Sequence, residues 1–325
     1  GITHVGAPVP GTGSAISFGV EKIPGTYTVI ATSSLNGCGA TMNGNAVLQP
    51  MPLVYSIVAQ GIQCAGTSII LNGSQTGTDY VLVLDNIFNL DTIAGTGNML
   101  NFGPQSVTGT YTIQAIGGAT SCQALMNGST QIRALPAAFN ITPAGLTCAS
   151  AVPGLDGSET GVNYTLFKNG VSTGITVPGT GSPISFGIQS SGTYTVKAVN
   201  LLSSCSNFMT GTLQVGNPPQ VNAGSDVTIC ATQSVMLNAT VSFGGATNWS
   251  SSGDGTFSNT NTLSAIYLPG VADIAAGTVY ILLTADGTGG CAATQVTDTL
   301  EVTIHHIATA NAGNNIDVCT MGVYT

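Results

Sequence analysis

The sequence predicts an all-β chain of tandem sandwich domains, and three observations carry that prediction. Apolar residues are spread as alternating Val, Ile, Leu and Tyr among Thr, Ser, Gly and Asn, the period-two pattern of half-buried strands. Forty-four glycines and fourteen prolines punctuate that alternation, and no stretch reads as a convincing amphipathic helix. The chain also repeats itself, with three separate phrases recurring at one spacing.

The first phrase is "VPGTGSAISFG" at residues 9–19, which returns as "IAGTGNMLNFG" at 93–103 and "VPGTGSPISFG" at 177–187. Its leading glycines, Gly11, Gly95 and Gly179, step by 84. The second phrase is the strand opening "GTYT", with Tyr27, Tyr111 and Tyr194 stepping by 84 and 83. The third is Met-x-Gly, beginning at Met42, Met126 and Met209 with the same two steps. The cysteines keep the same ruler in two classes. A late class follows the tyrosine strand (Cys38, Cys122, Cys205, Cys291), and an early class precedes a strand near the start of each unit (Cys64, Cys148, Cys230, Cys319).

This ruler divides the chain in order. Residues 1–49 read as the back half of one unit, 50–134 and 135–216 as complete units, 217–305 as a divergent unit with "GDGTFSN" in place of the glycine phrase, and 306–325 as the start of another. Both ends are therefore expected to cut through a domain of a processed or fragmentary chain. Each joint ("NAVLQPMPLV", "QIRALPAAFN", "LQVGNPPQVN") carries proline, which stiffens a short linker. A unit of this length with about seven short strands suits an immunoglobulin-like sandwich. Within 135–216 strands are expected at Phe139–Thr142, Ala151–Leu155, Asn163–Lys168, Ile184–Gly187, Thr193–Val199 and Thr212–Val215.

Composition removes several functions. Charged residues make up 5%, the net charge is −9, and the only basic side chains are Lys22, Arg133, Lys168 and Lys197. Such a chain cannot neutralise phosphates, which excludes nucleic acid and anionic membrane surfaces. Mean hydropathy is +0.36, yet no run is long enough to insert in a bilayer as a helix. Eight cysteines with little Lys point to an exported, oxidising location.

The residues recognisable as chemistry have structural readings beside them. "PGTGS" resembles a phosphate cradle, but β-type residues rather than a helix follow it and no Lys is near, so a turn leading into a core strand through Phe18, Phe102 or Phe186 is expected. The adjacent His305 and His306 would point to opposite faces of a strand, and Asp254 stands without the alternating acidic run of a Ca²⁺ loop. Trp249 is expected in the core of its unit. No catalytic set, cofactor site or metal site emerges. The sequons at Asn72, Asn127, Asn140, Asn163, Asn238 and Asn248 are read as chance in an Asn- and Thr-rich chain.

The cysteines admit three pairing schemes. Pairing within a unit (Cys64–Cys122, Cys148–Cys205, Cys230–Cys291) closes three loops of nearly equal length, which suit a sandwich staple and make this the favoured scheme. In it Cys38 and Cys319 find partners outside the segment. Sequence neighbours (Cys38–Cys64, Cys122–Cys148, Cys205–Cys230, Cys291–Cys319) would use all eight, and a third scheme joins one unit to the next as Cys64–Cys205 and Cys148–Cys291. Against the first stands the expectation that early and late cysteines lie at opposite ends of a simple sandwich, whereas a bridge needs Cα atoms within about 7 Å.

The text "LTCASAVPGLDGSETGVNYTLFKNG…VPGTGSPISFGIQSSGTYTVKAVN…CSNFMTGTLQV" resembles a repeat of giant secreted surface proteins of Bacteroidetes. "NAGSDVTICATQSVMLNAT", "NWSSSGDGTF" and "YLPGVADIAAGTVYILLTADGTGGC" resemble a sister, PKD-like type. The resemblance covers essentially the whole chain. It implies immunoglobulin-like repeats, type IX secretion, and roles in adhesion, gliding or surface fibres, with no catalytic residues to carry over. The O-glycosylation pattern of such bacteria, Asp-Ser/Thr before an apolar residue, is matched at Thr92 and Thr299. The expected function is thus a non-enzymatic adhesin stalk or surface filament, its partners neighbouring repeats or like subunits and possible surface glycans. The alternatives are a carbohydrate-binding module or a spacer appended to a secreted hydrolase.

Overall fold

The computed structural model of the chain describes residues 3–119 and 121–313. It divides into two compact units, Gly1–Leu135 with Leu202–Cys205, and Pro136–Leu201 with Ser206–Thr325. Three hydrophobic clusters organise them, running from Ile57 to Ile132, Ile141 to Val215 and Ala223 to Ile304, and each is the core of one β-sandwich.

In the first sandwich one sheet has the order Gly61–Cys64, Thr130–Arg133, Gly109–Gly117, Thr78–Leu84, Phe88–Ala94, with Gln123–Leu125 also on Gly109–Gly117. The facing sheet pairs Thr67–Leu71 with Leu100–Gln105. Gly61–Cys64 runs parallel to Thr130–Arg133, while the central strands are antiparallel. The second sandwich repeats the plan with Gly145–Cys148, Leu213–Gly216, Gly192–Asn200, Val162–Lys168 and Val171–Pro178, faced by Ile141–Thr142, Gly154–Leu155 and Ile184–Ser185. The third uses Val227–Cys230, Gln295–His305, Thr278–Gly287 and Gly244–Ser251, faced by Val235–Asn238, Ser264–Leu268 and Thr256–Phe257. An early edge strand parallel to the last strand of an antiparallel Greek-key sandwich is immunoglobulin-like topology.

The alternation explains the cores. Tyr80, Leu82 and Leu84 of one strand face Tyr111, Ile113 and Ala115 of its neighbour, all buried. The tyrosine of "GTYT" has a second task in each of these two sandwiches: the Tyr111 hydroxyl donates to the Val107 carbonyl at 2.9 Å, and Tyr194 donates to Ser190 at 2.7 Å. A buried phenol at the start of this strand, bonded back to backbone four residues upstream, is the tyrosine corner of such sandwiches. Trp249 is buried, and its indole N–H donates to the Thr262 carbonyl at 2.8 Å.

Other features depart from the sequence reading or add to it. Phe18 does not fill a core: it is 47% exposed, whereas Phe102 and Phe186 are 6% and 5% exposed. Residues 3–49 contribute two antiparallel pairs, Gly25–Tyr27 with Ala46–Leu48 and Ile30–Thr32 with Gly39–Thr41, and these carry no facing sheet among the described residues. In the second sandwich Gly145–Cys148, Val171–Pro178 and Ser206–Phe208 are strands that the local pattern does not mark. A short helix, Val271–Ala276, also forms. Its signals are Asp273, whose carboxylate accepts the N–H of the helix-leading Gly270 at 3.0 Å, and Gly277, which closes it at φ 76°.

Candidate functional site: a disulfide-braced joint

The early cysteines share one environment. Cys64, Cys148 and Cys230 end the parallel edge strand, opposite Arg133, Gly216 and His305 of the last strand. The alanine that follows each donates its N–H to that same last-strand residue, at 2.8 Å for Ala65 and 2.9 Å for Ala149 and Ala231. The early cysteine therefore marks the end of its sandwich from which the chain leaves. The late cysteines sit at the hairpin before the last strand, where the preceding residue (Gly37, Ser121, Ser204) has φ between 51° and 74° in three of them. They mark the opposite end, where the chain enters.

The favoured pairing within a unit is thereby overturned. In the second sandwich Cys205 stands eleven residues before Gly216, the partner of Cys148 in the ladder. Ser206 and Val215 between them pair with Val199 and Gly192 of one strand, seven residues apart. At about 3.2–3.4 Å per residue that is about 23 Å, far beyond the reach of a disulfide. The structure instead bonds Cys64 to Cys205 and Cys148 to Cys291, with Cα separations of 5.5 and 4.7 Å and sequence separations of 141 and 143 residues. The neighbour scheme fails with it, since Cys64 and Cys148 are bonded elsewhere. Cys38 and Cys230 are exposed, Cys122 is half-buried, and Cys319 lies outside the described residues.

The Cys148–Cys291 joint between the second and third sandwiches is closely packed. Cys291 is fully buried at the end of a one-turn 3₁₀ segment, Gly289–Cys291. A Cβ at Gly290 would overlap the Thr147 carbonyl, so only glycine lets this turn lie against the edge strand. A Cβ on Gly216 would come 3.5 Å from the Cys291 sulfur, and the Cys148 sulfur lies 3.6 Å from Thr294 Oγ1. Residues 217–219 alone connect strand Leu213–Gly216 to Gln220–Asn222, and two of them are Pro218 and Pro219. Main chain and disulfide thus hold the two sandwiches at two points. A single covalent hinge leaves rotations free that a second connection close beside it removes.

The glycine phrase is scaffold. A Cβ on Gly95 or Gly179 would overlap the carbonyl of Gln75 or Glu159, while Gly97 and Gly181 adopt φ of 86° and 82°. The loop closes on a buried serine: Ser74 Oγ donates to the Asn98 carbonyl at 2.6 Å and accepts the Thr96 N–H at 3.0 Å. Ser158 repeats this with Ser182 and Thr180 at 2.6 and 3.0 Å. The groups a phosphate would use are turned inward and engaged.

Asp254 accepts the N–H groups of Ala272 and Asp273 at the start of the short helix, and those bonds hold its carboxyl below the usual range. Asp273, 2% exposed, accepts from the Tyr267 hydroxyl at 2.6 Å. Burial, with that carboxylate beside it, pushes the Tyr267 phenol up to about 12. His305 ends the last strand and is exposed. Thr92 lies exposed on an edge strand opposite Val81, and Thr299 is exposed opposite Leu282. Among the described residues there is no group of three His, Cys, Asp or Glu placed to hold a metal, and no helix long and apolar enough to cross a membrane.

No protein-family model and no curated protein matches the chain. Among solved structures, it is similar to an I-band fragment from titin, at 14% identity over 80% of this chain and 100% of that one, with a TM-score of 0.38. It is also similar to the eight N-terminal Ig domains of Down Syndrome Cell Adhesion Molecule, at 16% identity over 87% of this chain and 40% of that one, with a TM-score of 0.40. Drosophila N-cadherin is similar at 13% identity, 86% and 83% coverage and a TM-score of 0.32.

Proposed function

We propose that this chain is a non-enzymatic structural segment of a long extracellular repeat protein, acting as an adhesin stalk or surface filament. The observation that carries the reading is the double connection between sandwiches, a short proline-bearing linker beside the Cys148–Cys291 bridge. A stalk must keep its far end at a distance, and free rotation at every joint works against that. Removing that freedom covalently serves reach and gives a catalytic or sugar-binding module nothing. Disulfides of this kind persist in oxidising surroundings, which supports placement outside the cell. On this reading the partners are neighbouring repeats or like subunits. Secretion by the type IX route and glycans on Thr92 and Thr299 belong to the same proposal, sugar supplying solvation to a surface with few charges.

Small-angle scattering of the oxidised chain tests it. A compact 325-residue globule has a radius of gyration of about 20 Å. An extended stalk of the same length requires about 30 Å or more. A value matching the compact globule sinks the stalk reading.

A further inference from the structure

We infer that the two bridges limit how far this segment extends under load, by dividing the tension among three parallel lengths of chain. The inference deepens the stalk reading and rests on it for its biological meaning. Its physical content follows from connectivity alone.

The two loops interleave: Cys148 lies inside the Cys64–Cys205 loop, and Cys205 lies inside the Cys148–Cys291 loop. Along the main chain, the path from Cys64 to Cys291 takes in all of 64–291. The shortest covalent route crosses from Cys64 to Cys205, runs back to Cys148, and crosses to Cys291, so it uses only 148–205. At about 3.4 Å per residue the span stretches to about 195 Å instead of about 770 Å. The other two lengths, 64–148 and 205–291, join the same pair of bridges, so they share the load, and the sandwiches they carry must open before that limit is reached.

The second sandwich is loaded in a particular way. Tension enters at Cys205, at the hairpin before its last strand, and leaves at Cys148. Between them stands the parallel ladder of Gly145–Cys148 against Leu213–Gly216, registered over four residue pairs. Force along those strands shears the ladder, so its hydrogen bonds share the load instead of opening one at a time. The place of each cysteine, early at the exit end and late at the entry end, makes every bridge of this type a longitudinal tie.

Single-molecule stretching of the full chain, tethered at its termini, tests this. The contour length at full extension does not depend on whether a variant's sandwiches are well folded. Reduction with a phosphine is expected to release the difference between the path 64–291 and the path 148–205, about 580 Å. The interleaving gives a non-additive signature. With Cys148→Ser the remaining bridge still hides 141 residues, so the variant gains only about 100 Å over the oxidised wild type. With Cys205→Ser the other bridge still hides 143 residues, a gain of about 90 Å. The two single gains therefore fall far short of the gain on reduction. A gain of about 195 Å for Cys148→Ser, the mark of a separate staple within its unit, overturns the inference. So does an oxidised chain no shorter than the reduced one. Either result leaves the scattering test of the stalk to be judged on its own.

Discussion

The glycine phrase supplies a quantitative test of scaffold against binding loop. Substituting Gly179→Ala places a methyl group on the Glu159 carbonyl oxygen, a backbone atom that cannot swing aside. The loop must shift. Three hydrogen bonds are then at risk: Gly179 N–H to Val162 O at 2.8 Å, Thr180 N–H to Ser158 Oγ at 3.0 Å, and Ser158 Oγ to Ser182 O at 2.6 Å. At roughly 0.5–1.5 kcal/mol each the loss is about 2–4 kcal/mol. Gly181→Ala, two residues on, meets no obstruction but holds φ of 82° and is expected to lose about 1 kcal/mol. Gly11→Ala, the same motif position in residues 3–49, has nothing within 4 Å and is expected to be neutral. Hydrogen exchange on the whole chain reads these separately, because peptides from 162–200 report the second sandwich. The order Gly179, Gly181, Gly11 is the prediction. A neutral Gly179→Ala refutes the claim that the motif exists for close backbone approach.

Further outcomes follow from the same geometry. Tyr111→Phe removes the bond to Val107 and should destabilise the first sandwich by about 1 kcal/mol in denaturant unfolding, the exposed carbonyl regaining water. Tyr267, at about 12 folded against 10.0 unfolded, binds its proton more tightly when folded. Its contribution is complete below pH 10 and is lost as pH rises toward 12, so alkaline unfolding of the third sandwich should begin in that window and shift in Tyr267→Phe. Asp254 has the opposite sign: its depressed pKa stabilises above the ordinary 3.8 and the benefit is lost as pH falls through the folded value, a dependence that Asp254→Asn should abolish in an acid titration. Gly290→Ala pushes the hairpin off Thr147 and should slow formation of the Cys148–Cys291 bridge in oxidative refolding, read by thiol trapping.

What is legible in the sequence is whatever repeats locally. The tyrosine strand, the glycine phrase and the methionine positions keep one spacing because each sandwich needs the same buried side chains: Met126 and Met209 are 2% and 6% exposed. Strand Val171–Pro178 escapes the local pattern because it is an edge strand with a glycine at φ 79° and a terminal proline, residues that ordinarily signal a break. Strand Gly145–Cys148 escapes it because what makes it a strand is a parallel partner distant in sequence, Leu213–Gly216. The disulfide map is illegible for the same reason. The three within-unit cysteine pairs have nearly equal spacing, and that spacing looks alike whether the ends of a sandwich are near or far. Only the parallel pairing fixes the early cysteine at the exit end. The pairing that forms is one of the three the sequence admits, but nothing in sequence spacing selects it.

Bridges that step from one sandwich to the next tie successive sandwiches together. Peptide mapping of the non-reduced chain by mass spectrometry tests this most directly, using a protease other than trypsin because only four basic residues are present. Linked peptides containing Cys64 with Cys205 and Cys148 with Cys291 are the predicted result. Linked peptides containing Cys64 with Cys122 and Cys148 with Cys205 would contradict it.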